Sequence, residues 1–253
     1  MSSIHISRIN RGWVLRGHGR VSRDDFNSAI TQVKHAGGGT VRCFICESTA
    51  DERSLAASHG LKQSAPLLHM RCALPLATRH RVPDGFVTRA FRPGIDDAEW
   101  LAVNSRAFAA HPEQGDWTHE VLSSRIAEPW FDAAGFLIYE VAGRIAGFCW
   151  TKVHESGHGH VHGESTIDAS VPAGEIYVIG VDPAQHGTGL GRALTIAGFA
   201  HLAARGLHHG LLYVAGDNAA AIRLYESLGM TVAHHDDVFI GAVAAEEHND
   251  ATR

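Results

Sequence analysis

The sequence has few cysteines, no long apolar run and no marked excess of charge of either sign. Four cysteines in 253 residues are too few for a disulfide scaffold. No apolar stretch is long enough to span a bilayer, and Met1 to Val14 lack the apolar core of a signal peptide. The formal net charge of −5 gives no electrostatic reason to expect nucleic acid or an anionic membrane as a partner. We therefore expect a cytoplasmic protein.

A glycine-rich loop lies between a buried strand and a helix. Residues 176–181 are a β-rich apolar run, typical of a strand that is buried on both faces. Gly187, Gly189 and Gly191 follow at alternate positions, and residues 193–202 have the apolar face of a helix. This order of elements presents unpaired backbone N–H groups and a helix N-terminus to an anion. The pattern predicts a phosphate site.

The loop alone does not identify its ligand. It lacks the Gly-Lys-Ser/Thr of a Walker loop and the longer final gap of a dinucleotide fingerprint. Turn chemistry alone is the structural alternative. A second unit downstream favours a binding site, because residues 211–214 form a short strand, Asp217-Asn218 can cap a helix over 219–228, and Gly229 ends that helix before an extended segment at 230–232.

The two units together resemble the GNAT superfamily of acyl-CoA-dependent N-acyltransferases. The shared signature is Val-Asp-Pro, then Gly-x-Gly-Leu-Gly-Arg, then Asp-Asn-x-x-Ala-x-x-x-Tyr-x-x-Leu-Gly-Met, which ends at Met230. The resemblance implies an α/β fold with a mixed sheet, in which the glycine loop binds the pyrophosphate of coenzyme A. We therefore expect acetyl-CoA as the co-substrate, and no metal.

Four longer strings resemble a narrower family, the mycothiol synthases. They cover residues 107–118, 130–132, 147–154 and 175–183. Members of that family acetylate the cysteine amine of cysteinyl-glucosaminyl-inositol with acetyl-CoA, and they carry two GNAT domains, of which the C-terminal one is active. The resemblance implies the same small-molecule acceptor for this chain.

The resemblance also implies a set of site residues. The residues expected to contact the coenzyme are Ile179, Gly180, Val181, His186, Gly187, Thr188, Gly189, Leu190, Gly191, Arg192, Asn218, Ala219, Ala220, Ala221, Ile222 and Arg223. Those expected to contact the sugar-cysteine acceptor are Glu113, Lys152, Glu175 and Tyr213. Acyl transfer needs a base for the ammonium and an acid for the leaving thiolate, and Glu175 and Tyr225 are the candidates for these two roles.

Each of these residues has a structural alternative. Glu113 can be an ordinary polar residue of a loop, and Lys152 can be a solvated residue at the end of a strand. Glu175 can be a carboxylate on the surface at a strand end. Tyr225 can pack within its helix. His186 replaces the Gln or Arg usual in GNAT loops, which predicts a weaker or pH-dependent contact with phosphate.

The chain divides into two unequal parts. We expect a degenerate, partial GNAT-like domain without a coenzyme loop over residues 1–78, a linker over 79–85, a catalytic domain over 86–245 and a flexible tail over 246–253. Residues 1–20 carry little pattern. The remaining predicted helices cover 22–35, 51–58, 96–108 and 118–126, and the remaining predicted strands cover 41–46, 67–76, 86–91, 135–141 and 144–153, with a loop over 109–117.

Two further patterns have bland interpretations that we favour. Cys43 and Cys46 have redox or metal spacing, but in a strand they fall on opposite faces, which favours core packing. The alternating histidines of residues 154–162 could bind zinc or nickel. No residues are evident that would hold these histidines in place by hydrogen bonds, so an exposed flexible loop is favoured.

Three functions compete at this point. The first is mycothiol synthesis by a monomer. The second is acetylation of another amine, such as a polyamine, an antibiotic or a protein N-terminus. The third is binding of acyl-CoA or of metal without catalysis, and Glu175 and Tyr225 count against it.

Overall fold

The computed structural model describes residues 4–9, 12–110, 112–155 and 171–246, and at residues 112 and 113 it describes the backbone only. The strands are β1 (Ile4–Ile9), β2 (Gly12–Gly17), β3 (Gly39–Cys46), β4 (Lys62–Gln63), β5 (Leu67–Ala73), β6 (Arg89–Ala90), β7 (Phe136–Val141), β8 (Arg144–His154), β9 (Ala173–Val181), β10 (His209–Ala215) and β11 (Thr231–Val243). The helices are α1 (Arg23–His35), α2 (Ala50–Ser58), α3 (Asp97–Ala107), α4 (Pro112–Gly115), α5 (His119–Ile126), α6 (Leu190–Ala204) and α7 (Ala219–Ser227). No helix in these ranges is both long and apolar enough to cross a membrane.

The strands form one mixed sheet that runs through both parts of the chain. Its order is β1-β2-β3-β11-β5-β10-β9-β8-β7-β6, and β4 pairs with β11. The pairs β2–β3 and β9–β10 are parallel, as expected for strands joined by the helices α1 and α6. The predicted α/β class with a mixed sheet is therefore confirmed.

The two central strands are exchanged between the two parts of the chain. β5, from the N-terminal part, lies between β10 and β11, and β11, from the C-terminal part, lies between β3 and β5. Outward from this centre, β3, β2 and β1 on one side match β10, β9 and β8 on the other. The division into a partial and a catalytic domain stays a prediction, and a boundary at residue 78 separates strands that are paired in the sheet.

The helices pack on both faces of the sheet. α1 and α2 bury Phe26, Ile30 and Leu55 in one cluster, and α6 and α7 bury Phe199 and Tyr225 in a neighbouring cluster on the same face. On the opposite face, α3 and α5 bury their apolar residues in a cluster that also contains residues of β7, β8 and β9. The candidate site draws residues from both faces, because α6 and α7 lie on the first and the strand residues beside α3 and α5 lie on the second.

Most of the predicted elements are confirmed, and the differences have local causes. Residues 1–20 contain the β1–β2 hairpin, whose alternation of Ile4 and Ile6 toward the core was missed. The strand predicted over 86–91 is reduced to Arg89–Ala90, and the loop over 109–117 contains the short helix α4. The helix after the glycine loop begins at Leu190 rather than at residue 193, because Gly189 has a φ of 83° and starts the helix.

Candidate active site

Glu175 lies in the sheet at a β-bulge. Its side chain is buried, and its Cα pairs with that of Lys152 across β8 and β9. The register shifts between Trp150 and Thr151, which leaves Tyr177 as an extra residue on β9. Bulges re-aim side chains and are frequent beside active sites. The alternative in which Glu175 is a surface carboxylate is therefore wrong.

Lys152 lies against aromatic rings on the same face. Its Nζ is 4.6 Å from the centroid of the Trp130 ring and 5.7 Å from that of Tyr177. Burial raises the pKa of Tyr177, so this phenol keeps its proton. The ammonium and the two rings form an amphipathic wall, the kind of surface that binds the polar edge and the apolar face of a sugar.

His154 contacts Glu175 directly. It is the last residue of β8, and its Nε2 lies 2.6 Å from Glu175 Oε2. The expectation that His154 belongs to a flexible loop with His158, His160 and His162 is wrong for His154. The spacing contained a signal, because Lys152 and His154 are two residues apart on a strand and therefore share a face. The other three histidines lie outside the described residues.

Tyr213 continues the polar surface onto the next strands. Its ring stacks on that of His69, with centroids 4.6 Å apart, and His69 Nδ1 lies 3.0 Å from His234 Nε2. Burial raises the pKa of Tyr213, and the charges of Glu175 and Asp236 raise it further. Its hydroxyl therefore stays a hydrogen-bond donor at neutral pH. Sequence reasoning missed His69 and His234, which come from β5 and β11.

The strands β9 and β10 pair over only a short stretch. Their register joins Gly174, Glu175 and Ile176 of β9 to residues 210–212 of β10, although β9 continues to Val181. The edge of β9 beyond Ile176, which includes the predicted coenzyme contacts Ile179, Gly180 and Val181, is thus not paired with β10 in the register. A gap of this kind leaves backbone N–H and C=O groups available to an extended ligand.

The glycine loop follows this gap and opens α6. Gly187 and Gly189 have φ values of 78° and 83°, and a Cβ at either would meet no atom within 4 Å. Backbone conformation rather than crowding therefore requires glycine at these two positions. Gly189 is the N-cap of α6 and supplies no side-chain cap, and the first turn contains no acidic residue. The N–H groups of this turn are the ordinary partners of an anion.

Polar groups surround the loop. Arg192, in the first turn of α6, contacts Ser227 Oγ at 2.6 Å and His80 Nδ1 at 3.1 Å. A cavity of about 430 Å³ adjoins the loop and is lined by Thr188, Gly189, Leu190 and Arg192 together with residues 81 and 83–85 of the predicted linker and Phe86. Residue His186 is exposed, and its ring lies against the carbonyl of Val181 at 3.3 Å.

The helix α7 lies beside the first turn of α6, where Ser227 contacts Arg192. Asn218 is its N-cap, and its side chain accepts a hydrogen bond from the Ala221 N–H, as the sequence predicts. The remaining predicted coenzyme residues of this helix, Ala219, Ala220, Ile222 and Arg223, occupy its first two turns. Tyr225 lies in the second turn and is buried. Burial raises the pKa of Tyr225, as does the neighbouring Cys149 thiol, so the phenol is protonated at neutral pH.

Glu175 and Tyr225 belong to opposite faces of the sheet. Tyr225 packs in the cluster of α6 and α7, whereas Glu175 shares its face with Tyr177, which packs in the cluster of α3 and α5. The gap between β9 and β10 lies between the two faces.

Two other predictions have separate outcomes. The side chain of Glu113 lies outside the described residues, so its role stays a prediction. Cys43 packs in the core, whereas Cys46 is partly exposed, so the predicted core packing is confirmed for Cys43 alone. Within the described ranges, no group of three or more His, Cys, Asp or Glu residues is placed to hold a metal ion.

Comparison with known proteins identifies the family. The model of the acetyltransferase (GNAT) family matches residues 100–230. The mycothiol acetyltransferase of Thermobispora bispora is 49% identical over 80% of this chain and 66% of its own length, and that of Thermomonospora curvata is 45% identical over 88% and 68%. The chain thus spans about two thirds of the length of these relatives.

Solved structures share the fold. A GCN5-related N-acetyltransferase from Sphaerobacter thermophilus has a TM-score of 0.69 at 22% identity, covering 96% of this chain and 77% of that one. A tandem GNAT protein from the clavulanic acid biosynthesis pathway has a TM-score of 0.59 at 13% identity, covering 97% and 85%. From its sequence relatives and the family model, this chain belongs to the GNAT acetyltransferases and, among them, to the mycothiol acetyltransferase family.

Proposed function

We propose that this chain transfers the acetyl group of acetyl-CoA to the cysteine amine of cysteinyl-glucosaminyl-inositol, which forms mycothiol. One observation supports this proposal above the others. The buried carboxylate of Glu175 lies at the gap between β9 and β10, and the uncapped helix start at Gly189 follows from the same strand. The identity of the acceptor is inferred from the relatives, which are mycothiol acetyltransferases.

The residues present fit the coenzyme. Gly187 and Gly189 bring backbone N–H groups close to a pyrophosphate without an intervening side chain, and Arg192 adds a positive charge. The edge of β9 from Ile179 to Val181 offers backbone N–H and C=O groups to the amides of the pantetheine arm. Acetyl-CoA supplies an activated thioester, which is the acyl donor.

The two proton transfers fall to residues of this chain. An amine is mostly ammonium at neutral pH, and Glu175 accepts its proton before the nitrogen attacks the thioester carbon. The carbon–sulfur bond then breaks, and Tyr225, whose raised pKa keeps it protonated, donates its proton to the departing sulfur, while the nitrogen loses its second proton to solvent to give the amide. Glu175 afterwards releases its proton to solvent, and Tyr225 takes one up.

The acceptor is held by the polar face of the sheet. Lys152 and the rings beside it suit a sugar, and the Tyr213 hydroxyl donates to one of its oxygens. Glu113 contributes a further acceptor of hydrogen bonds in this proposal. A monomer in the cytoplasm is the simplest form of the enzyme.

A comparison of amine acceptors tests the proposal. Acetyl-CoA turnover is measured with cysteinyl-glucosaminyl-inositol, with glucosaminyl-inositol as the matched compound without cysteine, and with a polyamine, an aminoglycoside and a peptide. We expect the highest kcat/KM with the cysteinyl compound and no acetylation of glucosaminyl-inositol. Equal or faster acetylation of any other amine would replace the acceptor proposed here.

A further inference from the structure

The contact between His154 and Glu175 is shielded from water. The two side chains are 13% and 5% exposed, and Nε2 lies 2.6 Å from Oε2. A hydrogen bond to a carboxylate is about twice as strong as one between neutral groups, and a surrounding of low dielectric strengthens it further. The bond therefore restricts the rotation of the Glu175 carboxyl group.

The strand register explains why these two residues meet. Glu175 is directly opposite Lys152, and His154 is the diagonal neighbour on the same face, within reach of a long side chain. Lys152 lies against Trp130. β8 ends at His154, so the imidazole stands at the end of the strand, where it covers the Glu175 carboxyl group.

A carboxylate that acts as a base has a geometric requirement. Only one of its oxygens receives the proton, and that oxygen must lie within hydrogen-bond reach of the amine. The imidazole holds Oε2, and through it the position of Oε1 is set. A misplacement of about 1 Å at a reacting group can reduce the rate about 10²-fold.

We propose that His154 is a positioning residue for the base Glu175. The Nε2–H of His154 donates to Oε2 and directs the carboxylate toward the acceptor amine, while the proton of the ammonium moves to Glu175 and His154 keeps its own. This proposal rests on the proposed function, because it takes Glu175 as the base.

Two substitutions that differ in reach test the proposal. In His154→Gln the amide nitrogen takes the place of Nε2, whereas in His154→Asn it lies at the position of Nδ1 and is too far from Oε2. We expect His154→Asn to lower kcat about 10²-fold with little change in the KM of either substrate. His154→Gln should recover most of the turnover. Equal losses in the two variants, or no loss in His154→Asn, would overturn the proposal.

A double-mutant cycle with Glu175→Gln separates this role from general damage. Once the base is absent, His154→Asn should reduce turnover little further, because the two residues act as one unit. Losses that multiply would mean that His154 acts independently of Glu175, which contradicts the proposal.

Thermal unfolding gives a readout that needs no acceptor. The same four proteins should show coupled melting temperatures, such that His154→Asn lowers the melting temperature less in the Glu175→Gln background than in the wild type. If the wild-type protein acetylates no amine, the proposed function fails while this cycle still measures the pair. Additive melting temperatures would show that no significant bond joins His154 to Glu175.

Discussion

The sheet contains two parallel strand–helix–strand units, β2-α1-β3 in the N-terminal part and β9-α6-β10 in the C-terminal part. They share a topology, but the residues at the start of their helices differ in charge and in capping. In the N-terminal unit, Ser22 caps α1 by accepting from the Asp25 N–H, and Asp24 and Asp25 fill the first turn with negative charge. In the C-terminal unit, Gly189 begins α6 without a side-chain cap or an acidic residue. A helix N-terminus that is already satisfied by its own side chains has little left to offer a phosphate.

The positions of the proposed base and the proposed acid also hold different residues in the two units. In the N-terminal unit, Val14 pairs with Arg42, which lies seven residues before the N-cap Thr49 of α2. In the C-terminal unit, Glu175 pairs with Leu211, which lies seven residues before the N-cap Asn218 of α7. Val14 is therefore the counterpart of Glu175.

The seventh residue after each cap is Ala56 in α2 and Tyr225 in α7. Topologically matched positions thus hold valine and alanine in one unit and the two proton-transfer candidates in the other. Equivalent backbones do not make equivalent sites, and side chains at three positions distinguish the two units.

The largest effect is expected when the start of α6 is made to resemble that of α1. Gly189→Asp places a capping carboxylate on the first-turn N–H groups, and we expect it to abolish coenzyme binding in calorimetric titration. The wild type should bind one acetyl-CoA per chain. Gly206→Asp is the matched control, because Gly206 also has a φ of 83° and open space around its Cβ but lies beyond the other end of α6. Two equivalent sites in the wild type, or unchanged affinity in Gly189→Asp, would place the coenzyme elsewhere.

Replacing the base should have the next largest effect. Glu175→Gln is expected to lower turnover about 10²–10⁴-fold, the usual contribution of general-base catalysis. The acidic limb of the turnover–pH profile at saturating acceptor should disappear, while acetyl-CoA affinity stays unchanged. If the limb persists and only the KM of the acceptor rises, Glu175 anchors the ammonium and is not the base.

A smaller loss is expected from the acid. Tyr225→Phe removes one hydroxyl from a buried site and should lower turnover about 10²-fold, with acetyl-CoA affinity close to that of the wild type. The interaction with sulfur grows toward the transition state, so kcat and kcat/KM should fall together. A variant that loses only coenzyme affinity would make Tyr225 a binding residue.

The sequence predicts the local features of this site well. Gly187 and Gly189 form the predicted turn between β9 and α6, α1 is close to the helix predicted over 22–35, and the Asn218 cap forms as predicted. These features depend on backbone groups within a few residues, so a local pattern suffices. The β-bulge that leaves Tyr177 as an extra residue beside Glu175 has no comparable local signal.

The long-range features could not be predicted in the same way. His69 and His234 meet because β5 and β11 are exchanged at the centre of the sheet, a pairing that bridges 165 positions of sequence. The contact between His154 and Glu175 depends on the register of β8 against β9. Periodicity identifies a strand but does not specify which strand lies beside it.

The smallest effect is expected at the start of α1, where the comparison assigns a structural role alone. Ser22→Ala removes the cap and should cost about 1 kcal/mol of unfolding free energy, which corresponds to a fall in melting temperature of about 2–4 °C for a chain of this size. Acetyl-CoA affinity and turnover should not change. Ser54→Ala is the matched control, because Ser54 is exposed inside α2 and alanine there favours the helix slightly.

The contrast between the two serines decides what the N-terminal unit does. If Ser22→Ala lowers stability and Ser54→Ala does not, the cap stabilises α1, as its hydrogen bond to Asp25 indicates. A change in coenzyme affinity on Ser22→Ala would show instead that the start of α1 communicates with the start of α6, or binds the coenzyme itself. The two helix starts would then no longer have separate roles, and the assignment of coenzyme binding to the C-terminal unit alone would be wrong.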